Sequence, residues 1–206
     1  MKNAYLDIET AWDQSITVIG IYRRGLGTVQ LIAPEITAEA FAAALHGVET
    51  IFTFNGARFD LPVIAAVLGE ESIAPYRHRD LMHDCSRKKI KGGLKAIERR
   101  FGIHRDTEGV DGVQAMRLWA HHQSGHKRCV ADIDDPFSSE RCCEALDLLL
   151  RYNKEDCVNL EALAQKLGIL PPDVEPPHDV KQLSFADLLG EEPRKPAESP
   201  SAQPLS

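Results

Sequence analysis

Ala4-Tyr5-Leu6-Asp7-Ile8-Glu9 decides how the rest of the chain is read. Its residues alternate, so Leu6 and Ile8 leave one side of an extended strand while Asp7 and Glu9 leave the other. Ile16-Thr17-Val18-Ile19-Gly20-Ile21-Tyr22-Arg23 is β-rich, Gly25 and Gly27 supply turn positions, and Thr28-Val29-Gln30-Leu31-Ile32 returns before Pro34 ends the run. A first strand followed by two hairpin-linked strands is the expectation. Thr37 is placed to cap a helix containing Phe41, Ala44 and Leu45, which Gly47 closes. Ile51-Phe52-Thr53-Phe54 reads as a short strand bounded by Asn55-Gly56. A helix over about 59–68 follows, with Pro62 tolerable in its first turn. Arg79-Asp80-Leu81-Met82 predicts a last short strand.

From Gly93 onward the pattern is helical. Leu94, Ile97 and Phe101 form one stripe, stopped by Gly102. Further helices are predicted at 113–122, 140–150 and 153–167, the last opened by Asn153 as a cap and closed by Gly168. Strands first and helices later, with a helix between strands three and four, predict an α/β domain with a mixed β-sheet flanked by helices. The antiparallel hairpin argues against a purely parallel nucleotide-binding sheet.

The 206 residues suit one domain with a real core, placed here at 1–170, and a tail at 171–206. Pro171-Pro172, Pro176-Pro177 and the closing Pro/Ser/Ala/Glu-rich run make the tail read as disordered and flexible. Within it, Leu183-Ser184-Phe185-Ala186-Asp187-Leu188-Leu189 is either a short helix docked on the domain or a linear motif for a protein partner. A net charge of -7 argues against a nonspecific nucleic-acid coat protein but not against a nuclease, whose metal ligands are themselves acidic. Charge is unevenly spread: Arg87-Lys88-Lys89-Ile90-Lys91 lies in a strongly basic stretch. The 5 cysteines, an odd number without CxxC spacing, suit a reducing cytoplasm and give no sign of zinc or a disulfide framework. Adjacent Cys142 and Cys143 read as packing residues. Neither a secretory stretch nor a membrane-spanning run is legible, so the expectation is a cytoplasmic protein with no membrane association.

Asp7-Ile8-Glu9-Thr10, Asn55-Gly56-Ala57-Arg58-Phe59-Asp60 and Tyr152-Asn153-Lys154-Glu155-Asp156 carry the chemistry. Asp7 and Glu9 leave the same strand face, where like charges repel unless cations lie between them. Asp60 opens a helix and Asp156 falls in the predicted first turn of another, so each also gains from the helix field. The residues admit two readings: a convergent carboxylate site for divalent cations acting on phosphates, or two first-turn acids and an exposed strand face. Tyr152, four residues before Asp156, shares its helical face. It either orients a water toward phosphorus or fills the core.

Taken together, the D-x-E-T segment at Asp7 to Thr10, the N-x3-F-D segment at Asn55, Phe59 and Asp60, and the Y-x3-D segment at Tyr152 and Asp156 resemble the motifs of the DEDD superfamily of 3′-to-5′ exonucleases. That superfamily's fold is ribonuclease H-like. The tyrosine places the resemblance in the tyrosine (DEDDy) subclass, since Arg151 stands where the histidine subclass has histidine. Gly92-Gly93-Leu94-Lys95 and Phe101-Gly102-Ile103 bring it closer to compact bacterial exonuclease-like domains of the YprB type. The resemblance spans about residues 4–168.

It implies two divalent cations, Mg²⁺ or Mn²⁺, held by Asp7, Glu9, Asp60 and Asp156, with Asp7 bridging the ions. Tyr152 would position the attacking water. Hard oxygen ligands favour these ions over Zn²⁺, and ions about 3.5–4 Å apart generate a nucleophile and stabilise the leaving oxygen. Thr10 and Asn55 are candidates for binding the terminal nucleotide. Phe59 is either base-facing or a core residue, and Arg58 either a phosphate contact or a solubilising arginine. Arg87, Lys88, Lys89 and Lys91 are the candidate backbone contacts, or else a solvated charge run.

The function implied is two-metal-ion hydrolysis of single-stranded DNA or RNA with a free 3′ end, releasing nucleoside monophosphates. DNA is favoured slightly. The alternatives are an RNA-trimming exoribonuclease and a weakly active or inactive nucleic-acid-binding module recruited to a repair or RNA-processing complex.

Overall fold

A computed structural model describes residues 2–131 and 136–171, with side-chain detail outside 125–143. The tail motif at 183–189, and Cys129, Cys142 and Cys143 as side chains, lie outside what is described.

The chain opens with β1 (Asn3–Thr10), β2 (Ile16–Arg23) and β3 (Gly27–Ile32), an antiparallel meander. Helix α1 (Ala38–Ala44) is capped by Thr37, whose Oγ1 accepts the Ala40 N–H at 3.2 Å. It leads to β4 (Thr50–Thr53), which pairs parallel with β1. After α2 (Asp60–Leu68), β5 (Arg77–Asp80) pairs parallel with β4 and completes a five-stranded mixed sheet of order β3-β2-β1-β4-β5. Four helices follow: α3 (Leu81–Arg87), α4 (Leu94–Phe101), α5 (Gly112–Ala131) and α6 (Pro136–Lys166).

Strand alternation divides the core as the sequence requires. Ala4, Leu6 and Ile8 face α1 and α2, packing with Phe41, Leu45 and Ile64. On the other face Tyr5, Tyr22 and Phe52 pack with Leu81 of α3, Ile97 of α4 and Cys157, Leu160 and Leu163 of α6. A third cluster joins Val18 to Trp119 of α5 and to Leu149 and Tyr152 of α6. Asp7 and Glu9 therefore project on the α6 side.

Three expectations are corrected. The last strand ends at Asp80, because the Asp80 carboxylate accepts the Met82 N–H at 3.0 Å and caps α3 in place of continuing the strand. Helix α3 itself carried no sequence signal. The helices expected at 140–150 and 153–167 are one continuous α6, so Asp156 lies in mid-helix and gains nothing from a first turn. Asn153 does not cap, since tertiary partners claim its amide and no Gly or Pro interrupts the helix between Glu140 and Leu167. Among the described residues no helix is long and apolar enough to cross a membrane.

Candidate active site

Parallel pairing of β1 with β4 brings their C-terminal ends out on one edge of the sheet, where ligands of open α/β sheets bind. The β1–β2 register shifts between Glu9 and Thr10. The loop leaving β4 turns through Asn55 in the left-handed region, at φ 66°. Buried Asp80 fixes that loop, its carboxylate accepting the Asn55 N–H at 2.9 Å and the Ala57 N–H at 3.1 Å. Asp60 then begins α2 with its side chain turned back onto β1, where Oδ1 accepts the Ile8 N–H at 3.1 Å.

Helix α6 comes down on the sheet over Gly20, which pairs with Asp7 across β1 and β2. A Cβ on Gly20 would lie 2.2 Å from Asn153 Oδ1 and 2.7 Å from Cys157 Sγ, so only glycine permits this approach. The approach lets Asn153 Nδ2 donate to the Asp7 carbonyl at 3.2 Å and to Asp7 Oδ2 at 3.1 Å. Gln30 holds Asn153 in turn, donating to its Oδ1 at 2.9 Å.

The outcome is a cleft of about 230 Å³ lined by Asp7, Glu9, Asp60, Tyr152 and Asp156, together with Thr10, Asn55, Phe59, Gly112 and Met116. Carboxylate oxygens of Asp7, Glu9 and Asp156 all lie within 4.8 Å of one another. Asp60 borders the same cleft beside this trio.

Burial is the main cause raising the pKa of all four acids. It acts with mutual repulsion to push Asp7 and Glu9 well above the ordinary carboxylate range. Asp60 rises to about 7 and Asp156 to about 6, the latter held down by Arg105 and Lys95. Four acids crowded with so little solvent need positive charge among them, and their all-oxygen donor set fits a hard divalent cation.

Tyr152 and Asp156 share one face of α6, as their spacing predicts. Burial and then the neighbouring acids push the phenol's pKa up, so it remains a hydrogen-bond donor. Its oxygen accepts from Lys95 Nζ, which also lies 4.2 Å from the ring centroid.

Beneath the cleft, buried Arg105 donates from Nη2 to Asp156 Oδ1 and from Nε to Glu98 Oε2, the latter at 3.1 Å. Asn159 supports Glu98 at 3.1 Å. Glu155 pins the incoming loop by accepting the N–H groups of Asp106 at 2.8 Å and Thr107 at 3.1 Å.

Of the candidate substrate contacts, Thr10, Asn55 and Phe59 line the cleft, and Phe59 is 37% exposed although apolar. Arg58 is exposed and does not line it. Arg87 pairs with Asp84 at 2.5 Å, while Lys88, Lys89 and Lys91 are exposed after α3; none of the four lines the cleft. Part of the basic stretch is neutralised internally, since Arg79 pairs with Asp84 at 3.0 Å and Arg105 with Glu98 and Asp156.

Lys95, Arg105, Asn153 and Asp80 have no role in the site as the sequence alone is read. Only Lys95 carried a signal, as the end of Gly92-Gly93-Leu94-Lys95. The partners of the other three lie too far along the chain for spacing to show.

One family model, RNase_H_2 of the RNase_H superfamily, matches residues 4–168. No curated protein and no solved structure matches the chain.

Proposed function

The chain belongs to the RNase H superfamily, and within it we propose a metal-dependent 3′-to-5′ exonuclease of the tyrosine-bearing DEDD type, close to the YprB-type domains. It would act on single-stranded nucleic acid, DNA slightly ahead of RNA, and release nucleoside monophosphates. One observation carries this reading: Tyr152 lines the same cleft as Asp7, Glu9, Asp60 and Asp156.

Asp7, Glu9 and Asp156 would hold one Mg²⁺ or Mn²⁺ ion, and Asp60, with Asp7, a second. Bound cations supply charge neutralisation at the phosphate and acidify the attacking water. Tyr152, kept as a phenol, fixed by Lys95 and hydrogen-bonded to Asp156, would position that water toward phosphorus. Water gives a proton to solvent as its oxygen bonds phosphorus, the bond from phosphorus to the 3′-oxygen breaks, and the 3′-oxygen takes a proton from solvent to become the hydroxyl of the shortened strand. Thr10, Asn55 and Phe59 would seat the terminal nucleotide. Arg58 and the run Arg87, Lys88, Lys89 and Lys91 would contribute an attracting field outside the cleft.

The test is incubation of 5′-labelled single strands of DNA and of RNA with Mg²⁺ or Mn²⁺. Asp7→Ala is expected to abolish shortening from the 3′ end while melting as the wild type does. Tyr152→Phe is expected to slow it by about 10²-fold, the scale set by loss of reactant positioning. A wild type that shortens neither strand, and so matches Asp7→Ala, would sink the proposal.

The buried Arg105–Asp156 pair favours the second reading, a nucleic-acid-binding module of little activity, because it neutralises a proposed ligand. Tight strand binding without metal and without turnover would establish that reading. Deletion after Leu170 is expected to spare cleavage, since the family match ends at residue 168; a protein partner, if the tail recruits one, would be lost with it.

A further inference from the structure

Two hollows share the floor of the site. Among the described residues, no lysine or arginine lines the cleft. A second hollow of about 440 Å³ opens from Asp7, Phe54, Tyr152 and Asp156, which it shares with the cleft, and runs along α4 past Gly93, Lys95 and Arg99. Among the described residues that line it, the acids are the shared Asp7 and Asp156. Lys95 and Arg99 stand four residues apart on one face of α4, about 6 Å along its axis at the helical rise per residue.

Lys95 reaches Tyr152. Arg99 is exposed and its side chain makes no ion pair among the described residues. Both also border a third hollow of about 510 Å³, but exposed Glu108 and Asp111 on its rim make that direction unsuited to phosphates.

This asymmetry has a direction. The 3′-terminal nucleoside of a strand ends in a hydroxyl and brings no phosphate beyond the scissile one, so its seat needs no cation. Every nucleotide on the 5′ side brings one phosphate, so its path needs cations at regular spacing. We propose that α4 carries the 5′-ward strand: Lys95 contacts the scissile phosphate beside Tyr152, Arg99 contacts the next phosphate upstream, and the terminal nucleoside fills the cation-free cleft. Phe54, half-buried in the shared floor, offers an aromatic surface to the base between these phosphates.

This rests on the exonuclease reading, and its test is separable from it. Binding of a 5′-fluorescein single strand is measured over a range of salt with Ca²⁺ as the metal, strand integrity being checked on a gel. Arg99→Ala is expected to weaken binding about tenfold and to lower the slope of log affinity against log salt by about 0.7, the loss of one phosphate contact on a single strand. Arg99→Lys is expected to restore the slope, which a structural role for the guanidinium would not allow.

An uncharged methylphosphonate at the second linkage from the 3′ end is expected to cost wild type the same tenfold, and Arg99→Ala nothing further. An unchanged slope in Arg99→Ala, or coupling to a linkage near the 5′ end, overturns the assignment. Should coupling at the second linkage persist in a protein that cleaves nothing with Mn²⁺, the strand path stands and the exonuclease reading falls. Cleavage without that coupling has the opposite meaning.

Discussion

Asn153 is fully buried, and its amide spends both ends on order: Oδ1 on Gln30, Nδ2 on the carbonyl and carboxylate of Asp7. Removing it frees the side chain that stands at the centre of the acidic cluster. Asn153→Ala is expected to weaken Mn²⁺ binding about 10–100-fold, the usual effect of losing a partner that orients a metal ligand. Calorimetric titration without nucleic acid reads this directly, and an affinity equal to wild type would show that Asp7 is held by other means.

Asp7, Glu9 and Asp156 were legible as candidates because their spacing is local, two residues apart on a strand or four from a tyrosine on a helix, and Asp60 through the N-x3-F-D resemblance. Asn153, Arg105 and Asp80 were not, because each acts on a partner 146, 51 or 25 positions away. Asn153 even presented a locally sensible but wrong role, a helix cap, since capping is a preference that a buried tertiary hydrogen bond overrides.

At the level of elements, the distance between α6 and the sheet governs the site. Leu160, Leu163 and Leu167 anchor the helix against Tyr5, Tyr22 and Phe52, and Gly20 allows it down far enough for Asn153 to meet Asp7. Gly20→Ala is expected to destabilise the protein by about 1–3 kcal/mol through overpacking, measured by urea unfolding, and to depress cleavage more than this loss explains. Leu160→Ala, which leaves a cavity without lifting the helix, is expected to cost about 2–5 kcal/mol while the remaining folded protein keeps its Mn²⁺ affinity. If Gly20→Ala unfolds and cleaves like wild type, the close approach is not what sets the site.

Helix existence was readable from the apolar stripes of α4 and from the caps of α1. The continuity of α6 and the handover from β5 to α3 were not, because Asn153 mimics a cap in the middle of one, and in the other Asp80 both caps α3 and holds the distant loop after β4.

For the whole molecule, the crowded carboxylates couple pH to stability, and a cation held among them would join that coupling. Asp60 and Asp156 rise from an ordinary 3.8 to about 7 and about 6 in the folded chain. The fold therefore binds more protons than the unfolded chain between these values. Their contribution is most favourable in acid and is lost as pH rises through about 6 to 7. Metal-free protein is expected to melt lower at about pH 7.5 than at about pH 5, and Mn²⁺ to raise the melting temperature more at the higher pH, because it binds the deprotonated acids. Thermal denaturation in chelator and in Mn²⁺ checks both, and Asp60→Asn should flatten the metal-free profile. A metal-free melting temperature that climbs over this range would mean that the acids are not crowded as described.

Periodicity in the sequence by itself determined a mixed sheet flanked by helices, and motif spacing singled out Asp7, Glu9, Asp60, Asp156 and Tyr152 as candidates. These signals are local, carried by alternation and by residues within one turn of each other. Tertiary structure alone decided that the acids meet. It set β1 parallel to β4 so that their ends emerge together, brought α6 onto Gly20, placed Arg105 beneath Asp156 and laid Lys95 against Tyr152. Such contacts depend on packing and on charges brought out of water, quantities that exist only once distant segments share a core.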